Sequence, residues 1–112
     1  MKKVMVTKGL RGKKNPQQYH EVCMEVAKCY YRAKGESVEF TSGSTVTNDF
    51  QEKNDSINKR LWSLGKTIQD EISVADEIVF MDDWEKYDGP TVEHVIAVRY
   101  GIPCIYLQSS EQ

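Results

Sequence analysis

Side chains able to do chemistry are concentrated in Asp82-Asp83-Trp84-Glu85-Lys86-Tyr87-Asp88-Gly89-Pro90-Thr91-Val92-Glu93-His94. The segment follows an apolar, strand-like run and enters a helix that begins at Pro90, which puts Glu93 in that helix's first turn beside a cleft. Free N–H groups and the positive dipole end favour negative charge at a helix N-terminus. In α/β proteins the carboxyl ends of parallel strands are where ligands bind. A carboxylate so placed should stay ionised and could act as a nucleophile. Asp88 or Gly89 is the expected cap. The competing reading is a capping box, in which Glu93 reaches back to a free N–H.

Trp84 and Tyr87 are aromatics on a polar loop, where a flat base or a sugar face could stack; either ring could instead close the loop onto the core. Asp82 and Asp83 end the strand and could hold a sugar hydroxyl or simply solvate a strand end. A second constellation is Lys8-Gly9-Leu10-Arg11-Gly12-Lys13-Lys14, between the first strand and a helix capped at Asn15. Gly9 and Gly12 would let the backbone approach a ligand, and Arg11 could grip a phosphate in a fork. The spacing is neither a dinucleotide fingerprint nor a Walker loop, and a solvated basic turn explains it equally well. His20 and His94 lack metal-ligand spacing, so surface or supporting positions are expected of them.

The elements that must position these groups follow from periodicity. Lys3 to Thr7 is a strand; Pro16 to about Lys34 is a helix with Tyr19, Val22, Cys23, Val26, Ala27 and Tyr30 on one face; Val38 and Phe40 mark a second strand. The polar stretch from Thr41 to Asp55 is a long loop. Ile57, Leu61, Leu64, Ile68 and Ile72 form the buried face of a long helix that ends near Ala75, with Gly65 on or near that face, where its small size would allow close approach to the sheet or where it is simply a neutral glycine tolerated at some cost. Tyr30, Tyr31 and Trp62 on the helices read as core or interface residues. Glu77 to Met81 is a third strand, Pro90 to Tyr100 a third helix, and Cys104 to Leu107 a fourth strand. Alternating strands and helices imply a flavodoxin-like doubly wound parallel sheet of about four strands, helices on both faces, in one domain spanning residues 1–112.

Composition excludes several classes. With 15 basic against 17 acidic residues and no long basic stripe, no extended nucleic-acid surface is expected, whereas a small anion suits the local cluster. Cys23, Cys29 and Cys104 have no Cys-x-x-Cys spacing, so they read as reduced core residues rather than disulfides or a metal site. No apolar run has the length of a membrane span and no signal peptide is recognisable, so a cytoplasmic protein is expected.

Ala75-Asp76-Glu77-Ile78-Val79-Phe80-Met81, then Trp84, Gly89, Glu93-His94, Ala97 and Tyr100-Gly101-Ile102-Pro103, resembles the nucleoside 2-deoxyribosyltransferase superfamily, in particular its small bacterial and phage branch. Arg11-Gly12 resembles the phosphate-gripping pair of the nucleotide N-glycosidase branch. The resemblance implies that Glu93 attacks the anomeric carbon of a nucleoside or nucleoside 5′-monophosphate and displaces the base, with water or a second base as acceptor. It implies Asp88 or Asp82 as assistant to the leaving base or sugar. The substrate-binding set is then Gly9, Arg11, Gly12, Asp82, Trp84, Tyr87 and Gly89, with no cofactor or metal. A homo-oligomer whose neighbour completes the pocket is also implied. This chain departs from the pattern at Tyr87, where an Asp or Ser is usual, and at Lys8, where a Gly is common; Asp70 and Glu71 lie near, but not in register with, an expected acid on the preceding helix. Two other readings use the same fold: a non-catalytic nucleotide-binding sensor or sequestering module, and a structural or interaction protein.

Overall fold

A computed structural model describes residues 1–41 and 57–109, with the backbone alone over 57–60. Four strands, β1 (Lys2–Thr7), β2 (Val38–Phe40), β3 (Glu77–Phe80) and β4 (Cys104–Tyr106), form an all-parallel sheet in the order β2-β1-β3-β4. Met5 lies opposite Ile78, Thr7 opposite Phe80, and Phe80 opposite Tyr106. This is the doubly wound, flavodoxin-like arrangement expected from the alternating pattern.

Alternation along the strands divides the core between the two faces of the sheet. Val4, Val6, Val79 and Met81 turn to the face covered by α1 (Pro16–Ala33), where Cys23, Ala27 and Tyr31 are buried. Met5, Ile78 and Phe80 turn to the opposite face, where Ile68 of α2 (Ile57–Asp70), Ile72 and Ala97 of α3 (Asp88–Tyr100) pack. Thr7 continues the Met5 side, so the last residue of β1 points toward α2 and α3. The first helix starts as its sequence predicts: Pro16 occupies the first turn and the Asn15 side chain accepts from the Gln18 N–H at 3.0 Å.

Several local expectations are corrected. The second helix stops at Asp70 and passes into a tight 3₁₀ turn at Ile72–Val74, because Ala75 is extended and leads into β3. Gly65 is exposed, with open space around the position a Cβ would take, so it serves no close approach to the sheet. Leu61 is also exposed, as is Trp62. Cys29 lies on the outer side of α1 and is not a core residue. The third helix begins at Asp88, not Pro90, since the 3₁₀ turn Trp84–Lys86 leads to an extended Tyr87, whose carbonyl accepts from Thr91 N–H at 3.1 Å. Pro90 therefore sits at the third helical position, where its missing N–H has no intrahelical partner to lose. The long polar loop falls almost wholly outside the described residues.

Candidate functional site

At the carboxyl edge of the sheet the loop after β1 meets the loop after β3. A Cβ on Gly9 would overlap the Tyr87 ring, so only glycine admits this contact. Lys13 N–H donates to the Leu10 carbonyl at 3.2 Å across a turn in which Gly12 has φ 83°, a left-handed conformation suited to glycine. Gly12 thus shapes a turn, and Arg11 stands exposed at its tip.

Glu93 is the sixth residue of α3 and lies in the second turn, past the free N–H groups of the helix start, which corrects the first-turn expectation. The capping residue is Tyr87 rather than Asp88 or Gly89, and no side-chain cap hydrogen bond forms there. Glu93 turns inward instead. It is buried, and its Oε1 accepts from the Thr7 hydroxyl at 2.5 Å. Burial raises its pKa to about 7, against the Thr7 hydrogen bond and the charge of Lys8, while nearby Glu71 adds to the rise. The expectation of a carboxylate held ionised by a helix dipole is corrected: loss of water outweighs the favourable groups.

Three residues that the sequence reading did not assign to the site join Glu93 there. Thr7 supplies the hydroxyl. Lys8 is buried, its Nζ donating to the Val6 carbonyl at 3.2 Å, rather than lying in a solvated basic turn. Glu71 is buried just beyond α2, and burial raises its pKa against the pull of Lys8. Strand alternation could have pointed to Thr7, two residues from Met5 on the same face. Nothing in the run Lys8 to Lys14 distinguishes the buried lysine from its solvated neighbours. On the α1 side His20 is buried, its Nδ1 has no hydrogen-bond partner among the described residues, and burial with the Lys8 charge lowers its pKa.

The remaining candidates divide into separate groups. Asp82 fastens the chain end to α1: its carboxylate accepts from Ser109 N–H at 2.9 Å, from Ser109 Oγ at 2.6 Å and from the Tyr19 hydroxyl at 3.1 Å. Trp84 packs beside His94, with ring centroids 4.2 Å apart, and both lie against Phe80. His94 Nε2 and the Tyr106 hydroxyl are 2.6 Å apart. These rings pack on one another, and His94 follows Glu93 directly on α3. Asp88 and Gly89 are exposed at the start of α3. Asp88 and Glu93 are five positions apart on the helix, about 140° of rotation, so their side chains do not share a face. The structure thus joins Thr7 and Glu93 by a hydrogen bond, with buried Lys8 and Glu71 acting on Glu93 electrostatically and Gly9 packed against Tyr87; Asp82 is engaged by Ser109 and Tyr19, and Arg11 and Asp88 are exposed.

Among the described residues, no group of three or more His, Cys, Asp or Glu could hold a metal ion, and no helix is long and apolar enough to cross a membrane. No family model, curated protein or solved structure matches the chain.

Proposed function

We propose that the protein binds a nucleoside or nucleoside 5′-monophosphate at the carboxyl edge of its sheet and cleaves or transfers the N-glycosidic bond. The supporting observation is Glu93: a carboxyl group buried at the end of a parallel sheet, hydrogen-bonded at 2.5 Å to Thr7 and raised in pKa to about 7. Buried acids outside catalysis are uncommon, and perturbed ones gather at functional sites. In the ionised form an Oε of Glu93 bonds to the anomeric carbon as the bond from that carbon to the base nitrogen breaks. The electron pair leaves with the base, which takes a proton from a neighbouring acid. Water or a second base then attacks the same carbon and frees Glu93, as in retaining glycosyl transfer. Glu71, buried and raised in pKa, suits the proton-donor role better than exposed Asp88 or Asp82 with its several hydrogen bonds. Trp84 offers a ring edge for a base, and Arg11 at the Gly9 to Gly12 turn offers a fork for a 5′-phosphate.

A non-catalytic binding module is the second reading, favoured by the closure of the site: Glu93 is only 7% exposed. Incubation with a panel of nucleosides and their 5′-monophosphates separates the two. Base release that falls at least about a thousandfold in Glu93→Ala supports the enzyme; saturable binding without release by either protein supports the module; absence of both rejects the nucleotide reading. A homo-oligomer belongs to the same proposal. Its support is the outer face of α3, where Val92, Val95 and Val98 are exposed at helical spacing, and light scattering on the same samples tests it: a monomer at all concentrations would reject it.

A further inference from the structure

We infer that Thr7 is a positioning residue of this site, its hydroxyl holding Glu93 by Oε1 so that Oε2 is the oxygen presented for attack. The inference deepens the proposal for Glu93 and rests on that reading. The contact joins two buried side chains from distant parts of the chain: Thr7 is 5% exposed, Glu93 is 7% exposed, and the Thr7 hydroxyl donates to Oε1 at 2.5 Å. Thr7 is the more rigid partner. It ends β1, an inner strand of the sheet, lies opposite Phe80, and its carbonyl accepts from Met81 N–H at 3.1 Å. Its branched side chain has few rotamers, and strand alternation aims it at the face where α3 packs. Glu93 stands on the second turn of a helix with a long side chain, and burial alone does not choose among its rotamers. A hydrogen bond from a fixed strand end does choose one. Among the described residues no other hydrogen bond reaches the Glu93 carboxyl, so one oxygen is fixed and the other is left for chemistry. Attack at a carbon requires the oxygen to be aligned with it, and misplacement by about 1 Å costs on the order of a hundredfold in rate. A hydrogen bond donated to the carboxylate also favours the charged form, which is the form that attacks. Thr7 acts through Glu93 and not on the sugar or the base.

The test is carbon-13 NMR titration of the glutamate side-chain carboxyls in the full chain, with Glu93 assigned through Glu93→Gln. Thr7→Val keeps the shape and removes the hydroxyl, so a bond that favours the anion is lost and the Glu93 midpoint should rise from about 7 by about one pH unit. Thr7→Ser, which keeps the hydroxyl, should return the midpoint most of the way. Burial, Lys8 and Glu71 also act on Glu93 and are common to these proteins. A midpoint that Thr7→Val leaves unmoved, or that Thr7→Ser shifts equally, overturns the role of Thr7. If Thr7→Val does not fold, the wild type carries the test: the Thr7 methyl carbon should titrate with the Glu93 midpoint and cease to do so in Glu93→Gln. A methyl signal that is flat in the wild type, or that still titrates in Glu93→Gln, overturns the contact. Where base release is measurable, Thr7→Val should lower kcat by about ten- to a hundredfold and leave KM within about twofold, and the loss should persist at alkaline pH, where Glu93 is ionised in both proteins. A loss recovered in full at alkaline pH would confine Thr7 to charge and overturn its role in aiming Oε2. A shifted midpoint without base release by any protein rejects Glu93 as nucleophile and leaves the coupling of Thr7 to Glu93 standing.

Discussion

The two ends of this parallel sheet carry the same kinds of charged residue and treat them in opposite ways. At the amino end, Lys2 reaches Glu36 at 2.6 Å and Glu77 at 2.9 Å, while the Tyr31 hydroxyl donates to Glu77 at 2.7 Å. The Lys2, Glu36 and Glu77 side chains are partly exposed. The hydrogen bond donated by Lys2 holds Glu36 below the usual carboxylate range, and donating to Glu36 and Glu77 raises the pKa of Lys2. At the carboxyl end, Lys8, Glu71 and Glu93 are all buried, and burial moves both acids upward. A lysine and two glutamates thus make a clamp where water remains to share the charge and a proton-holding cluster where it does not. The same residue types thus differ in the sign of the shift, which burial sets.

The sharpest break of this contrast would come from Glu93. Its folded pKa of about 7 lies above the ordinary value of 4.5, so the folded state holds a proton that the unfolded state has released. Stability is accordingly greatest below pH 4.5 for this group and is lost as pH rises from there through 7, by at most about 3 kcal/mol. Glu71 acts in the same sense, whereas buried His20, lowered by burial, costs stability on the acid side. Denaturant unfolding of Glu93→Gln from pH 4.5 to 8 isolates the term, because the other groups are common to both proteins. The variant should gain on the wild type by up to about 3 kcal/mol as pH rises, and a constant difference would place Glu93 among ordinary surface acids.

A smaller effect is expected at Gly9, where shape rather than charge joins the two loops. Gly9→Ala drives a methyl group into the Tyr87 ring and should destabilise the fold by about 1–3 kcal/mol. Adding Tyr87→Ala should recover part of that loss, since it removes the colliding ring; additive losses would refute the contact. The smallest effect belongs to the clamp at the amino end. Lys2→Met should cause a minor loss in thermal stability that added salt erases, and a loss independent of salt would remove the distinction between the two ends.

Much of this was legible in the residue order. Val4 to Val6 and Ile78 to Phe80, apolar and β-rich, name the central strands, and Asn15 with Pro16 names the start of α1. Glu93 was legible as the acid to watch, but its setting was not. The start of α3 moved from Pro90 to Asp88 because a turn at Trp84–Lys86 leaves Tyr87 extended, and that shift carries Glu93 out of the first turn and away from the dipole end. Arg11 outranked Lys8 on pattern, yet Arg11 is exposed and Lys8 buried.

The physical division is between short and long range. Hydrophobic period, prolines, glycines and caps act within a turn or a strand, so the linear chain alone was enough for the element order and the parallel, doubly wound class. Charge state depends on which groups exclude water from one another across the fold, and Thr7 and Glu93 are brought together only when β1 and α3 close on the same edge. Burial and pairing of those distant residues, decided by tertiary packing, turn an acid in a helix into a carboxyl group poised near neutrality.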